Sequence, residues 1–173
     1  MFRDYLAKSH ANPWTVKDSI IAGSPVAAVM GIVNVTPDSF FDGGKHNTLD
    51  AAYEHALKLL DEGAEILDIG GESSRPGAAA VSAEEEIDRV VPLVKKLVPL
   101  LSTRKFWISI DTIKSEVALE SMKAGAHIIN DISALSHDPN MAKTIADTEA
   151  ASVLNHMRGN FGTMQQDYAP YQD

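Results

Sequence analysis

Five short apolar runs in this chain are each followed by residues able to do chemistry. Asn34, Thr36, Asp38 and Phe40 follow the first run, and Gly70 to Gly77, reading GGESSRPG, follow the second. Asp111 and Thr112 follow the third, Asn130 and Asp131 the fourth, and His156, Met157 and Arg158 the fifth. Carboxylates and amides can pair with the N–H and C=O edge of a ligand, amide and carboxylate oxygens suit a hard cation, and a guanidinium suits a carboxylate or phosphate. Ligands of parallel α/β folds bind at the carboxyl ends of the strands, so groups placed there are candidates for one shared site.

Each of these groups also has a plainer role. Asp and Asn at strand ends form turns and cap helices. Asp111-Thr112 could cap the helix that follows, but Ser115 stands where a cap is wanted, which leaves Asp111 to face a pocket. Asn130-Asp131 is overprovided in the same way. Glu72 reads as a buried structural carboxylate bonded to nearby backbone rather than a catalytic group. His156 has no second His at metal-binding spacing and reads as a supporting residue. In GGESSRPG the paired glycines permit close backbone approach, and Ser73, Ser74 and Arg75 could hold an anion; a solvated surface loop fits the same residues.

The elements that must position these groups alternate. Strands are expected at Val26 to Val35, Ile66 to Gly70, Phe106 to Ile110, His127 to Ile129 and Ser152 to Asn155, several apolar throughout, as doubly buried parallel strands are. Between them lie helical patterns. From Leu49, residues Ala52, Ala56, Leu59 and Leu60 complete one apolar face, ended by Gly63 in a left-handed turn. Ser82 and Glu85 form a capping box for a helix whose stripe is Ile87, Val90, Val91, Val94 and Val98, with Pro92 tolerated. Ser115 is expected to cap a third helix carrying Val117, Ala118 and Met122 and stopped by Gly125, and Asp138-Pro139 to open a fourth. This βα rhythm predicts an α/β fold with a parallel sheet, in a single domain over residues 1–173.

Composition narrows the function. Fifteen Lys and Arg against 24 Asp and Glu give a formal charge of -9, which disfavours nonspecific attraction to nucleic acid or an anionic membrane. With no Cys there is no disulfide framework, thiolate metal site or thiol nucleophile, and a cytoplasmic location is expected. The first residues lack an apolar core of signal-peptide length, and no later stretch is long enough to span a bilayer.

MGIVNVTPDSFFDGG, DIGGESSRPG, ISIDT, GAHIINDIS and HMRGNFGTMQ, in this order and spacing from about Met30 to Gln165, resemble the dihydropteroate synthases. The resemblance implies a (β/α)8 TIM barrel, present here as about five of its units, and the folate-pathway transfer of a pterin from its pyrophosphate ester to 4-aminobenzoate, a reaction targeted by sulfonamides. It implies that Asn34 holds the pyrophosphate through Mg²⁺, that Asp38 stabilises the developing pterin cation, and that Phe40 walls the aminobenzoate pocket. Asp111 and Asn130 would pair with the pterin edge and Met157 lie against its ring. Ser74, Arg75 and Pro76 would close over aminobenzoate and the anion, with Ser74 where the family commonly has threonine.

The family pattern continues past the fifth unit with an Asp and a Lys that grip the pterin, an Arg and a His that bind pyrophosphate, and the helices of a homodimer. A chain ending at Asp173 lacks them and is expected to turn over slowly. Two other functions compete: a noncatalytic pterin-binding module, and the related pterin-dependent methyltransferases, which the NVTPDSF and ESSRPG loops disfavour.

Overall fold

The computed structural model describes residues 14–16, 19–22, 28–36, 44–73 and 80–155, with only the backbone at 16, 19–22 and 44–48. A small antiparallel hairpin, β1 (Trp14–Val16) and β2 (Ser19–Ala22), precedes the main sheet. Then strands and helices alternate: β3 (Met30–Asn34), α1 (Gly44–Asp61), β4 (Ile66–Gly70), α2 (Ala83–Leu97), β5 (Trp107–Asp111), α3 (Ser115–Ala124), β6 (Ile128–Asp131), α4 (Met141–Thr148) and β7 (Ala151–Leu154). A 3₁₀ turn, Val98–Ser102, extends α2. Strands β3 to β7 form one parallel sheet in chain order, as the βα rhythm predicts.

Alternation along the strands separates two faces. Val33, Leu67, Ile69, Ile108, Ile110 and Ile129 point to the helices and are fully buried. They meet Ala52 and Ala56 of α1, Val90, Leu93, Val94 and Leu97 of α2, and Val117 and Ala118 of α3. Each buried Val, Leu or Ile here contributes about 1.5–3 kcal/mol through removal from water, so this layer carries much of the stability of the fold. Inward residues fall in register: Met30, Ile66 and Trp107 at the amino ends, then Ile32, Asp68, Ser109, Ile128 and Ala151, then Asn34, Gly70, Asp111, Asn130 and Val153. Trp14 packs against the cluster of Ile66, Ile128 and Ala151, as do Met30 and Trp107, so the hairpin lies on the inner face below the polar strand ends.

Several expected details differ. Helix α1 starts before Leu49, at Gly44. The buried stripe of α2 is Glu86, Val90, Leu93, Val94 and Leu97, while Ile87, Val91 and Val98 are only partly covered. Ser82 caps α2 as expected, accepting from Glu85 N–H at 3.1 Å, but Glu85 turns to Arg89 instead of completing the box. Ser115 does not cap α3: Lys114 occupies the cap position, and Asp138 Oδ2 accepts from Ser115 N–H at 2.8 Å. Nor does Asp138 cap α4, where Asn140 takes that place; Asp138 instead tethers α3 to the loop before α4. A carboxylate has two oxygens, and an acceptor from a neighbouring loop fills the helix N-terminus as well as a local serine does. Gly63 and Gly125 end α1 and α3 with φ of 103° and 112°, as their positions predict.

Candidate functional site

Asn34, Asp111 and Asn130 stand at the carboxyl ends of β3, β5 and β6 in one register layer, with Gly70 of β4 between the first two. A Cβ at Gly70 would lie 3.5 Å from Asp111 Oδ2 and 3.6 Å from Asn34 Oδ1. Those are ordinary contact distances, so glycine is not needed to relieve a clash. Its effect is to leave open the space toward which an amide oxygen and a carboxylate oxygen both point. Asn34 is exposed, Asp111 half-buried and Asn130 buried, which grades the site from open to enclosed across the sheet.

Burial pushes the Asp111 carboxyl up to about 7, and the negative charges of Asp68, Glu86, Asp131 and Glu72 add to the effect. An isolated carboxylate in such a setting favours a ligand that brings N–H donors or positive charge to it. Below this layer lies a second polar layer. Ser109 Oγ donates to Asp68 Oδ1 at 2.6 Å, Asn130 Nδ2 donates to Asp68 Oδ2 at 2.8 Å, and Asn155 Nδ2 donates to Asn130 Oδ1 at 3.0 Å. Burial raises the Asp68 carboxyl, and the bonds from Ser109 and Asn130 oppose that rise.

The rim of the site is held by ion pairs. Lys114, just after β5, places Nζ 2.5 Å from Glu72 Oε2 and 2.5 Å from Glu86 Oε2. Burial disfavours the lysine charge, but hydrogen bonds to Glu72 and Glu86 outweigh it and hold its pKa above the ordinary lysine value. Glu72 Oε1 accepts from Val81 N–H at 2.9 Å, so one carboxylate joins the end of β4 to the start of α2. Arg89 Nη1 donates to Gly71 O at 2.7 Å. At Gly71 a Cβ would come within 2.9 Å of both Glu86 Cγ and Val90 Cγ2, so the strand end requires glycine to lie against α2. Asp131 faces away from the site and accepts from Ser133 N–H, Ser133 Oγ and Leu135 N–H, shaping a loop in which Ala134 and Leu135 have positive φ. Thr112 Oγ1 accepts from Lys114 N–H and so belongs to the turn before α3.

The structure thus brings together Asn34, Asp111 and Asn130 of the expected site residues. Asp38, Phe40, Ser74, Arg75, Pro76 and Met157 lie outside the described residues, as do His156 and Arg158. Sequence reasoning missed Asp68, Ser109 and Lys114. The signal for the first two was parity: each sits two residues before an inward-facing strand end, and Asp68 is an ionisable group inside an otherwise apolar strand.

Among the described residues no group of three or more His, Cys, Asp or Glu side chains could hold a metal ion. Asn34 offers one hard amide oxygen beside the open space at Gly70. A single such donor fits Mg²⁺, which commonly keeps several waters and takes few protein ligands. No helix among the described residues is long and apolar enough to cross a membrane.

A parallel α/β sheet with hydrogen-bonding groups gathered at the carboxyl ends of its strands defines a ligand-binding protein of the barrel type. Residues 30–173 match the family model described as pterin binding enzyme, and the chain belongs to that family. It is 54% identical over 138 residues to the dihydropteroate synthase of Escherichia coli K12, covering 80% of this chain and 48% of that protein. Among solved structures, Xanthomonas albilineans dihydropteroate synthase with 4-aminobenzoic acid aligns with a TM-score of 0.75 at 45% identity, covering 86% of this chain and 53% of that one. Yersinia pestis dihydropteroate synthase in a sulfonamide drug complex aligns with a TM-score of 0.75 at 46% identity, covering 94% and 56%. The sheet is accordingly a five-stranded portion of a (β/α)8 barrel, and the chain spans about half the length of the relatives it matches.

Proposed function

We propose that this chain carries the pterin side of a dihydropteroate synthase site, which joins 4-aminobenzoate to 6-hydroxymethyl-7,8-dihydropterin pyrophosphate and releases pyrophosphate. The observation that carries the proposal is that Asn34, Asp111 and Asn130 share one register layer at the carboxyl ends of β3, β5 and β6, with Asn34 and Asp111 flanking the open space at Gly70. Relatives at this similarity with the synthase name, and one solved with 4-aminobenzoic acid, support the same reading.

In this reading Asp111 accepts from the ring N–H donors of the pterin, which supply partners to its half-buried carboxylate. Asn130 supplies both a donor and an acceptor to the same edge. Asn34 would hold a Mg²⁺ through its amide oxygen, and such a cation would supply neutralisation of the charge that develops on the pyrophosphate. The carbon–oxygen bond at the pterin methylene breaks largely before the aromatic amine attacks, so positioning and electrostatics carry the rate. Asp38 approaches the developing cation, Phe40 walls the aminobenzoate place with Ser74, Arg75 and Pro76, and Met157 lies against the pterin ring. Sulfonamides compete with aminobenzoate; the relative solved with such a drug supports this. A cytoplasmic location belongs to the same proposal, supported by the acidic, Cys-free composition.

The test is to supply the folded chain with both substrates and Mg²⁺ and follow dihydropteroate. We expect product only when both substrates are present, inhibited by a sulfonamide, and slower than in a full-length relative. A folded chain that neither forms product nor binds the pterin pyrophosphate would overturn the reading. Binding without product would favour the noncatalytic module instead, which the chain's coverage of about half of its relatives makes the second reading.

A further inference from the structure

The inner face of the barrel wall holds a buried carboxylate that the mechanism above does not use. Barrel interiors are filled mainly by bulky aliphatic side chains. Here Asp68 occupies the middle layer, 5% exposed, beside Ser109 and between Ile32 and Ile128 in register. Its two oxygens accept from Ser109 Oγ at 2.6 Å and from Asn130 Nδ2 at 2.8 Å, the latter reaching across β5 from β6. Asn130 in turn accepts at Oδ1 from Asn155 Nδ2 at 3.0 Å.

This chain of bonds has a direction, and only one member can set it. A serine hydroxyl both donates and accepts, and an asparagine amide can turn over to exchange its oxygen for its nitrogen. An ionised carboxylate only accepts. Turning the Asn130 amide over would set its oxygen against the Asp68 carboxylate and its NH₂ against that of Asn155. In the orientation found, Asn130 keeps one N–H and one oxygen lone pair for a ligand, on defined sides of its plane.

We propose that Asp68 is a positioning residue that fixes the orientation of the Asn130 amide, and so dictates that the bound ligand edge present an acceptor and a donor in one order only. The proposal rests on the reading of Asn130 as a pterin contact. It deepens that reading by assigning the discrimination among heterocycle edges to a residue that does not touch the ligand.

The experiment is calorimetric titration of the 173-residue chain and two variants with 6-hydroxymethyl-7,8-dihydropterin pyrophosphate and Mg²⁺. Asp68→Leu removes both acceptors at similar volume and is expected to weaken binding by about 10- to 30-fold, the scale of one or two lost hydrogen bonds. Asp68→Asn keeps the volume and can still accept from Asn130, but an amide can present either sense, so it is expected to recover only part of the loss, binding severalfold tighter than the Leu variant yet more weakly than the native chain, a partial rescue that general loss of packing would not give. Unchanged binding by the Leu variant, or an Asn variant as weak as the Leu one, would overturn the proposal. A second readout needs no variant: the Asn130 Nδ2 proton donated to Asp68 should exchange slowly with solvent in ¹H–¹⁵N spectra. Exchange as fast as that of an exposed asparagine amide would overturn the proposal. A protected Asn130 amide in a native chain that does not bind the pterin pyrophosphate would uphold the fixed amide and overturn the functional reading.

Discussion

Lys114 Nζ lies 2.5 Å from Glu72 Oε2, joining the segment after β5 to the segment after β4. The same ammonium reaches Glu86 of α2 at 2.5 Å, and Glu72 also holds Val81 N–H. Lysine and both carboxylates are largely buried, so removing the cation leaves two desolvated anions facing each other. Breaking one member of a buried pair costs far more than losing a surface pair. Lys114→Met should therefore lower unfolding free energy by about 3 kcal/mol. Urea denaturation checks this, and a loss comparable to that from an exposed pair such as Lys58 with Glu62 would contradict it.

Two adjacent glycines should respond oppositely to the same substitution. A Cβ on Gly71 would press to 2.9 Å from Glu86 Cγ and Val90 Cγ2, so Gly71→Ala should destabilise by about 1–3 kcal/mol through overpacking. At Gly70 the added methyl would meet Asn34 and Asp111 at ordinary distances, so Gly70→Ala should leave thermal stability nearly unchanged. Its expected effect is on binding, because the methyl fills the space between the two oxygens. Melting curves and titration with the pterin pyrophosphate separate the two outcomes; equal effects of both variants on stability would sink this account of the strand end.

The raised pKa of Asp111 makes stability depend on pH. With a folded value of about 7 against an ordinary 3.8, the native state holds its proton more tightly than the unfolded chain does. The contribution is fully present below pH 3.8 and is lost as pH rises through about 7. Asp68 is shifted in the same direction. The unliganded chain should therefore lose stability between about pH 4 and pH 7, and Asp111→Asn should flatten that slope and stabilise the chain at pH 8 by about 2 kcal/mol. Thermal melts across this range test it, and an unchanged slope in the variant would contradict it.

Much of this is legible in the sequence. Ile66–Gly70 was expected with its observed bounds, and the other main strands within a few residues, because apolar runs between glycines and polar turns leave few alternatives for buried parallel strands. Asn34, Asp111 and Asn130 were singled out because polar groups recur at successive strand ends. The β1–β2 hairpin was not expected: Trp14–Val16 and Ser19–Ala22 are too short and irregular to show alternation, and Trp14 owes its place to packing against the cluster of Ile66, Ile128 and Ala151, distant in the chain. The roles of Ser115 and Asp138 were misread because a cap supplied by a distant loop leaves no local pattern. The buried position of Glu86 was hidden for a related reason: its cation partner, Lys114, lies far along the chain.

The most direct test of the central claim is calorimetric titration of the folded native chain and of Asp111→Ala with 6-hydroxymethyl-7,8-dihydropterin pyrophosphate in the presence of Mg²⁺, with inorganic pyrophosphate alone as the comparison. The account predicts saturable binding of the pterin ester by the native chain, stronger than that of pyrophosphate and abolished by the substitution. Binding that is unchanged in Asp111→Ala, or no stronger than that of pyrophosphate alone, would contradict it.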